Sequence, residues 1–243
     1  MPNTRARPLM RPSHLPLILV GATMVAYGLL TALVGSWLSN RAMRGLISTG
    51  AYRSRLGTFE GTAGLIAGLL FFVLFVLCAV RAAGGVRVAF AFGALASVAP
   101  ILVGRAEHLL FRVIGLPTMS AGSVLAGAVI TLLFTLPMTV MFILLASGRR
   151  VPRACRLLSL ASILVVLGTA FFPIYVTVLA FLLRPGDPAV GRMIQVSTQV
   201  IKLRFILPGL SLLALALISM HYGRQQAGDA AVGLAADAEG ESR

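Results

Sequence analysis

Acidic residues are scarce in this 243-residue chain: seven Asp and Glu stand against 21 Lys and Arg. Before residue 186 the acids are Glu60 and Glu107 alone. A pair of carboxylates for acid–base work, or an oxygen cage for a hard cation, cannot readily be assembled from so few. Lysine occurs once, at Lys202, with no glycine-rich loop before it, so there is no Walker motif. The two cysteines, Cys78 and Cys155, are too few and too far apart for a disulfide framework or a zinc site. The three histidines, His14, His108 and His221, are scattered along the chain, which argues against a haem or di-metal centre. We therefore expect no metal and no cofactor.

Charge of any sign is limited to 12% of residues, whereas 58% are hydrophobic and the mean hydropathy is +0.94. A soluble domain is about 45–50% apolar. The net charge of +14 is not a nucleic-acid signature. The arginines come in small groups between apolar runs rather than on one basic face with interleaved aromatics. Positions of that kind lie at the level of lipid headgroups, so an anionic bilayer surface is the expected partner and nucleic acid is not.

Six long apolar runs fill the rest: 15–38, 61–80, 88–104, 121–146, 157–183 and 205–222, the last with a helix expected to begin earlier, near Ala189. About 20 residues cross a bilayer as a helix, and spanning strands are half as long with alternating polarity. The predicted fold is an all-α polytopic integral membrane protein, a bundle of six transmembrane helices with interfacial amphipathic segments. The first run is followed by Trp37, Ser39 and Asn40 rather than a small-residue cleavage site, so it reads as an uncleaved span. The domain plan is a basic N-terminus over 1–14, a transmembrane domain over 15–223 and a solvated, Ala-, Gly- and acid-rich tail over 224–243.

Basic residues are nearly balanced between the two sides, but they are densest in two short loops, Arg81 to Arg87 and Arg149 to Arg156. Short loops follow the positive-inside bias best, which places both termini in the cytoplasm, and we expect a bacterial inner membrane. In Arg41 to Arg55, basic residues alternate with Met43, Leu46, Ile47 and Tyr52, a pattern suited to lying along the headgroup layer.

Ionisable residues near the membrane are the first candidates for function. Glu60 and Glu107 sit at ends of apolar runs, where Arg55 or Arg105 is a ready ion-pair partner. Arg105, His108 and Arg112 share a helix face at spacings of three and four, beside Glu107. Such a group suits a phosphate or carboxylate, or a proton relay through Glu107 and His108. The plainer account is an interfacial helix with its polar face in the headgroups. Gln195, Gln199 and Lys202 fall on one polar side ahead of the sixth run, either lining a vestibule or snorkelling. Ser123 and His221 invite comparison with an intramembrane serine protease, but the second flanking glycine is missing.

Small and hydroxylic residues form stripes. Gly21, Gly28 and Gly35 recur every seven residues, Gly64 and Gly68 form a small-xxx-small pair, and Gly93 lies between Ala89 and Ser97. Such faces let helices approach closely in lipid, within the chain or across subunits. Thr23, Tyr27 and Thr31 step by four, as do Ser123, Gly127, Thr131, Thr135 and Thr139. A path for a polar solute needs such a lining, while each hydroxyl can equally bond back along its own helix. Pro100, Pro137, Pro173 and Pro208 punctuate four successive runs, with Thr135 and Thr169 placed to satisfy freed carbonyls.

The leading expectation is a permease- or channel-like component that moves a small solute or lipid within a larger membrane complex or homo-oligomer. Thr131, Thr135, Glu60, Lys202 and the Arg105–Arg112 group are its candidate path residues. One alternative is a non-catalytic accessory or scaffold subunit whose glycine faces meet partner chains. A second is an intramembrane enzyme acting on lipid through the Arg105–Arg112 group.

Overall fold

In lipid every backbone polar group needs an internal partner, and long apolar runs find it as helix. The structure, a computed structural model, describes residues 14–114, 121–148, 151–182, 203 and 205–225. Among these there is no strand. The helices are α1 (Leu15–Met43), α2 (Thr49–Arg81), α3 (Gly85–Ile114), α4 (Ala121–Ser147), α5 (Arg153–Leu182) and α6 (Phe205–Gln225). Four of them are long and apolar enough to cross a membrane: α1, α2 from Gly50, α5 over Arg153–Phe172, and α6. In α3 and α4 the described apolar stretches, Gly85–Ala99 and Thr135–Ser147, are shorter than that.

Local chemistry sets the boundaries. Pro16 lies in the first turn of α1, where a missing N–H leaves no helical acceptor unmet. At the other end Gly45 adopts φ +68°, its N–H donates to the Ala42 carbonyl, and the Leu46 N–H donates to the Arg41 carbonyl at 3.0 Å. This is a glycine-terminated Schellman end. Ser48 then opens α2, its Oγ accepting the Ala51 N–H at 3.2 Å. Arg41 to Arg55 is therefore not one interfacial segment: it is the end of α1, a tight turn and the start of α2. The next turn is tighter still. The Ala82 N–H donates to the Cys78 carbonyl at 2.9 Å, Gly84 takes φ +59°, and Arg87 Nε donates to the Ala82 carbonyl at 3.3 Å.

Consecutive helices pack side by side from α1 through α5. Six residues join α3 to α4; fully extended they reach about 20 Å, too short to run back along a helix of about 45 Å, so the neighbours are antiparallel. The other three connections are shorter and impose the same alternation. Helix α6 returns to α1: Gly21 lies against Gly209 and Leu213, and Gly28 against Phe205 and Ile206. Numbers that rise along α1 fall along α6, so this pair is antiparallel too, and His14 and Gln225 lie at the same end of the bundle.

The interior holds Phe75, Phe90, Met141, Phe142, Leu145, Leu212 and Leu215, all fully buried. The outer faces of α1, α2 and α5 are equally apolar, with Leu19, Leu33, Ile66, Leu69, Val73, Leu160 and Leu164 exposed. A soluble monomer rarely leaves a contiguous apolar patch beyond a few hundred Å². A helix surface of this kind suits hydrocarbon as its surroundings.

Candidate substrate path and helix seams

Where α1 and α6 cross, glycine faces glycine. A Cβ on Gly21 would lie 2.9 Å from the Gly209 carbonyl oxygen and 2.8 Å from Leu213 Cγ. A Cβ on Gly209 would lie 2.9 Å from the Gly21 carbonyl oxygen. One helical repeat on, a Cβ on Gly28 would meet Ile206 Cγ1 at 2.6 Å. Neither backbone can withdraw without opening the crossing. Gly35, the third member of the repeat, is also buried, and a Cβ there meets no atom of the described residues within 4 Å.

Just beyond Gly28 the seam is held by aromatic rings from three helices. Tyr27 of α1 stands edge-on to Phe205 of α6, with centroids 4.9 Å apart, and to Phe71 of α2 at 6.0 Å. Gly64 of α2 keeps room for the phenol: a Cβ there would lie 3.3 Å from Tyr27 Oη. Gly68 is buried on α2. Gly93 of α3 performs the corresponding service between α2 and α4, where a Cβ would lie 2.6 Å from the Phe75 ring and 2.9 Å from Met141 Sδ.

The other half of the bundle is hydroxylic. Ser97 on α3, Thr135 and Thr139 on α4, and Ser159, Ser162 and Thr169 on α5 are buried, with Pro137 buried between the two threonines. Their hydroxyls donate along their own helices: Ser97 to the Gly93 carbonyl at 2.9 Å, Thr139 to Thr135 at 2.9 Å, Ser159 to Cys155 at 2.8 Å and Ser162 to Leu158 at 2.7 Å. Thr169 donates to the Val165 carbonyl at 2.9 Å and Thr135 to the Leu132 carbonyl at 3.3 Å. These carbonyls are not the ones that Pro173 and Pro137 leave free, which belong to Thr169 and Leu133. A serine or threonine that donates in this way keeps its oxygen lone pairs. Ser97, Thr139, Ser159, Ser162 and Thr169 therefore keep acceptor capacity in the interior of α3 to α5. On α1, Thr23 and Thr31 also bond back, to Leu19 and Gly28, from half-buried positions.

Among the ionisable candidates, Arg105, Glu107, His108 and Arg112 lie on the C-terminal part of α3, which continues unbroken past Pro100; their side chains are outside the described residues. The same holds for the side chains of Glu60 on α2 and Thr131 on α4, and Lys202 is outside the described residues altogether. Ser123 begins α4 at the end of the bundle opposite to His221, so the two cannot act together. Among the described residues no three His, Cys, Asp or Glu side chains gather as a metal site. Cys78 and Cys155 are free and buried on α2 and α5, which do not pack on one another, so they cannot bridge.

Two polar atoms are buried without a described partner, His14 Nδ1 at the start of α1 and Arg156 Nε near the start of α5. Burial lowers the His14 imidazole below its ordinary value. Sequence reasoning passed over the Tyr27–Phe71–Phe205 cluster and Gly209, which lie far apart along the chain. It also missed the stacking of Arg41 on Trp37, which the i, i+4 spacing and the helix end could have revealed. No family model, curated protein or solved structure matches this chain.

Proposed function

We propose that the chain is a six-helix membrane protein whose hydroxylic half, α3 to α5, forms the path of a permease- or channel-like component for a small solute or lipid. The observation that carries this reading is a set of hydroxyls buried among the apolar side chains of these three helices. Buried positions hold Ser97, Thr135, Thr139, Ser159, Ser162 and Thr169, while large aliphatic side chains cover the outside. Hydroxyls in a core need not be there for packing, since alanine or valine would fill the space. Lined acceptors without a fixed charge favour a neutral solute that donates hydrogen bonds. Pro137, set among them in a helix that runs on around it, gives that helix a place to bend.

This reading has both termini in the cytoplasm, supported by the density of arginine in the short loops that follow α2 and α4, and takes the membrane to be a bacterial inner membrane. The scaffold alternative draws on the same glycines, but Gly21, Gly28 and Gly93 are already engaged by helices of this chain. The purified protein in liposomes, challenged with a panel of small neutral solutes and followed by light scattering, tests the reading. Solute-selective shrinkage and reswelling above protein-free vesicles is expected. Absence of flux, with co-purification of a fixed partner, would overturn it.

A further inference from the structure

The end of α1 presents a sorted helix face. Leu30, Leu33, Trp37, Arg41 and Arg44 follow one another at spacings of three and four, which keeps them within one narrow stripe. All five are exposed, Leu33 at 68% and Trp37 at 52%. The Arg41 guanidinium lies 4.3 Å from the centre of the Trp37 ring, a cation–π arrangement that holds the charge beside the ring. Below it, from Leu30 to Arg41, the face rises about 16 Å, which matches half of a hydrocarbon core about 30 Å thick. Beyond it, Leu46 ends the Schellman turn but is 66% exposed, although a residue in that position commonly packs back on its helix.

We propose that this face is a binding site for one anionic phospholipid, with the phosphate on Arg41 and Arg44, Trp37 at the glycerol level and an acyl chain along Leu33 and Leu30. The inference rests on the membrane reading above but not on transport. Charge complementarity names the occupant: two guanidiniums stand directly above an apolar track, and an acidic lipid has that order of groups. Arg87, at the opposite end of the bundle, is a contrast, because its guanidinium is committed to the Ala82 carbonyl.

Trp37 is the one tryptophan of the chain, so its fluorescence reports on this site alone. The full chain is placed in nanodiscs of phosphatidylcholine containing a minor fraction of brominated phosphatidylglycerol or, separately, brominated phosphatidylcholine. The anionic quencher should be preferred about fivefold, and Arg41→Gln or Arg44→Gln should reduce that preference at least about twofold. Arg87→Gln should leave it unchanged. Equal quenching by both lipids, or a preference that survives in the double Arg41→Gln, Arg44→Gln variant, would overturn the site while leaving membrane insertion standing. Release of the preference by soluble glycerol phosphate would also overturn it, since the site would then read an anion from solution. Quenching by neither lipid would overturn insertion of this face as well.

Discussion

The two halves of the bundle solve the same problem, helix packing without a hydrophobic drive, by different means. Where α1 crosses α6, side chains are removed: Gly21 and Gly209 bring backbone against backbone, and Tyr27, Phe71 and Phe205 lock the neighbouring turn. Between α3, α4 and α5, small polar side chains remain, each bonded to its own helix. The first arrangement has one geometry and no slack. The second keeps its hydrogen bonds when the helices shift, because the hydroxyls of Ser97, Thr139, Ser159 and Ser162 donate within their own helices. In the transport reading proposed above, the first half would serve as frame and the second as path.

The sharpest way to break this contrast is to fill the glycine crossing. Gly21→Leu or Gly209→Leu should abolish recovery of monodisperse protein or destabilise it by more than the about 1–3 kcal/mol typical of overpacking. Gly168→Leu, at an exposed position of α5 where a Cβ meets nothing within 4 Å, should leave the thermal midpoint in detergent unchanged. Phe75→Ala, which empties the contact with Gly93 between the halves, should cost about 3–5 kcal/mol by thermal unfolding in the same detergent. In the hydroxylic half, Thr139→Val and Ser162→Ala should each change stability by no more than about 1 kcal/mol, yet alter solute flux in liposomes. Unchanged flux would reduce these hydroxyls to packing.

The smallest effect concerns pH. Burial lowers the His14 value, so the unfolded chain takes up protons more readily than the folded one as pH falls. The stability that His14 contributes is fully present above about pH 6.5 and is lost as pH drops through its lower folded value. His14→Gln should flatten the dependence of the thermal midpoint between about pH 7 and pH 5. An unchanged slope would assign the dependence to other groups.

Helical character was legible from sequence because apolar length is a local property, and four of the described helices are long and apolar enough to cross a membrane. Ends were less legible. The Arg41 to Arg55 stretch looks amphipathic when taken as one segment, but Gly45 and Ser48 divide it, and a left-handed glycine followed by a capping serine outweighs periodicity. The identity of neighbours was not legible at all. Gly21, Gly28 and Gly93 announce close contact, but nothing in a single chain says that Gly21 meets Gly209 across nearly the whole sequence. The hydroxyl stripes could be read as residues but not as bonds, since donation to the preceding turn and donation into a path start from the same pattern.

The meeting of α1 with α6 has a consequence for biogenesis. Residues that touch at this crossing are made far apart in time: among the described helices α1 is synthesised before the others and α6 after them. Until α6 is made the glycine face of α1 lacks its partner, and this seam closes after those that join α1 to α5. A ribosome stalled before α6 should therefore hold a nascent chain that is inserted but unlatched, in which quality-control proteases find α1 and α2 accessible.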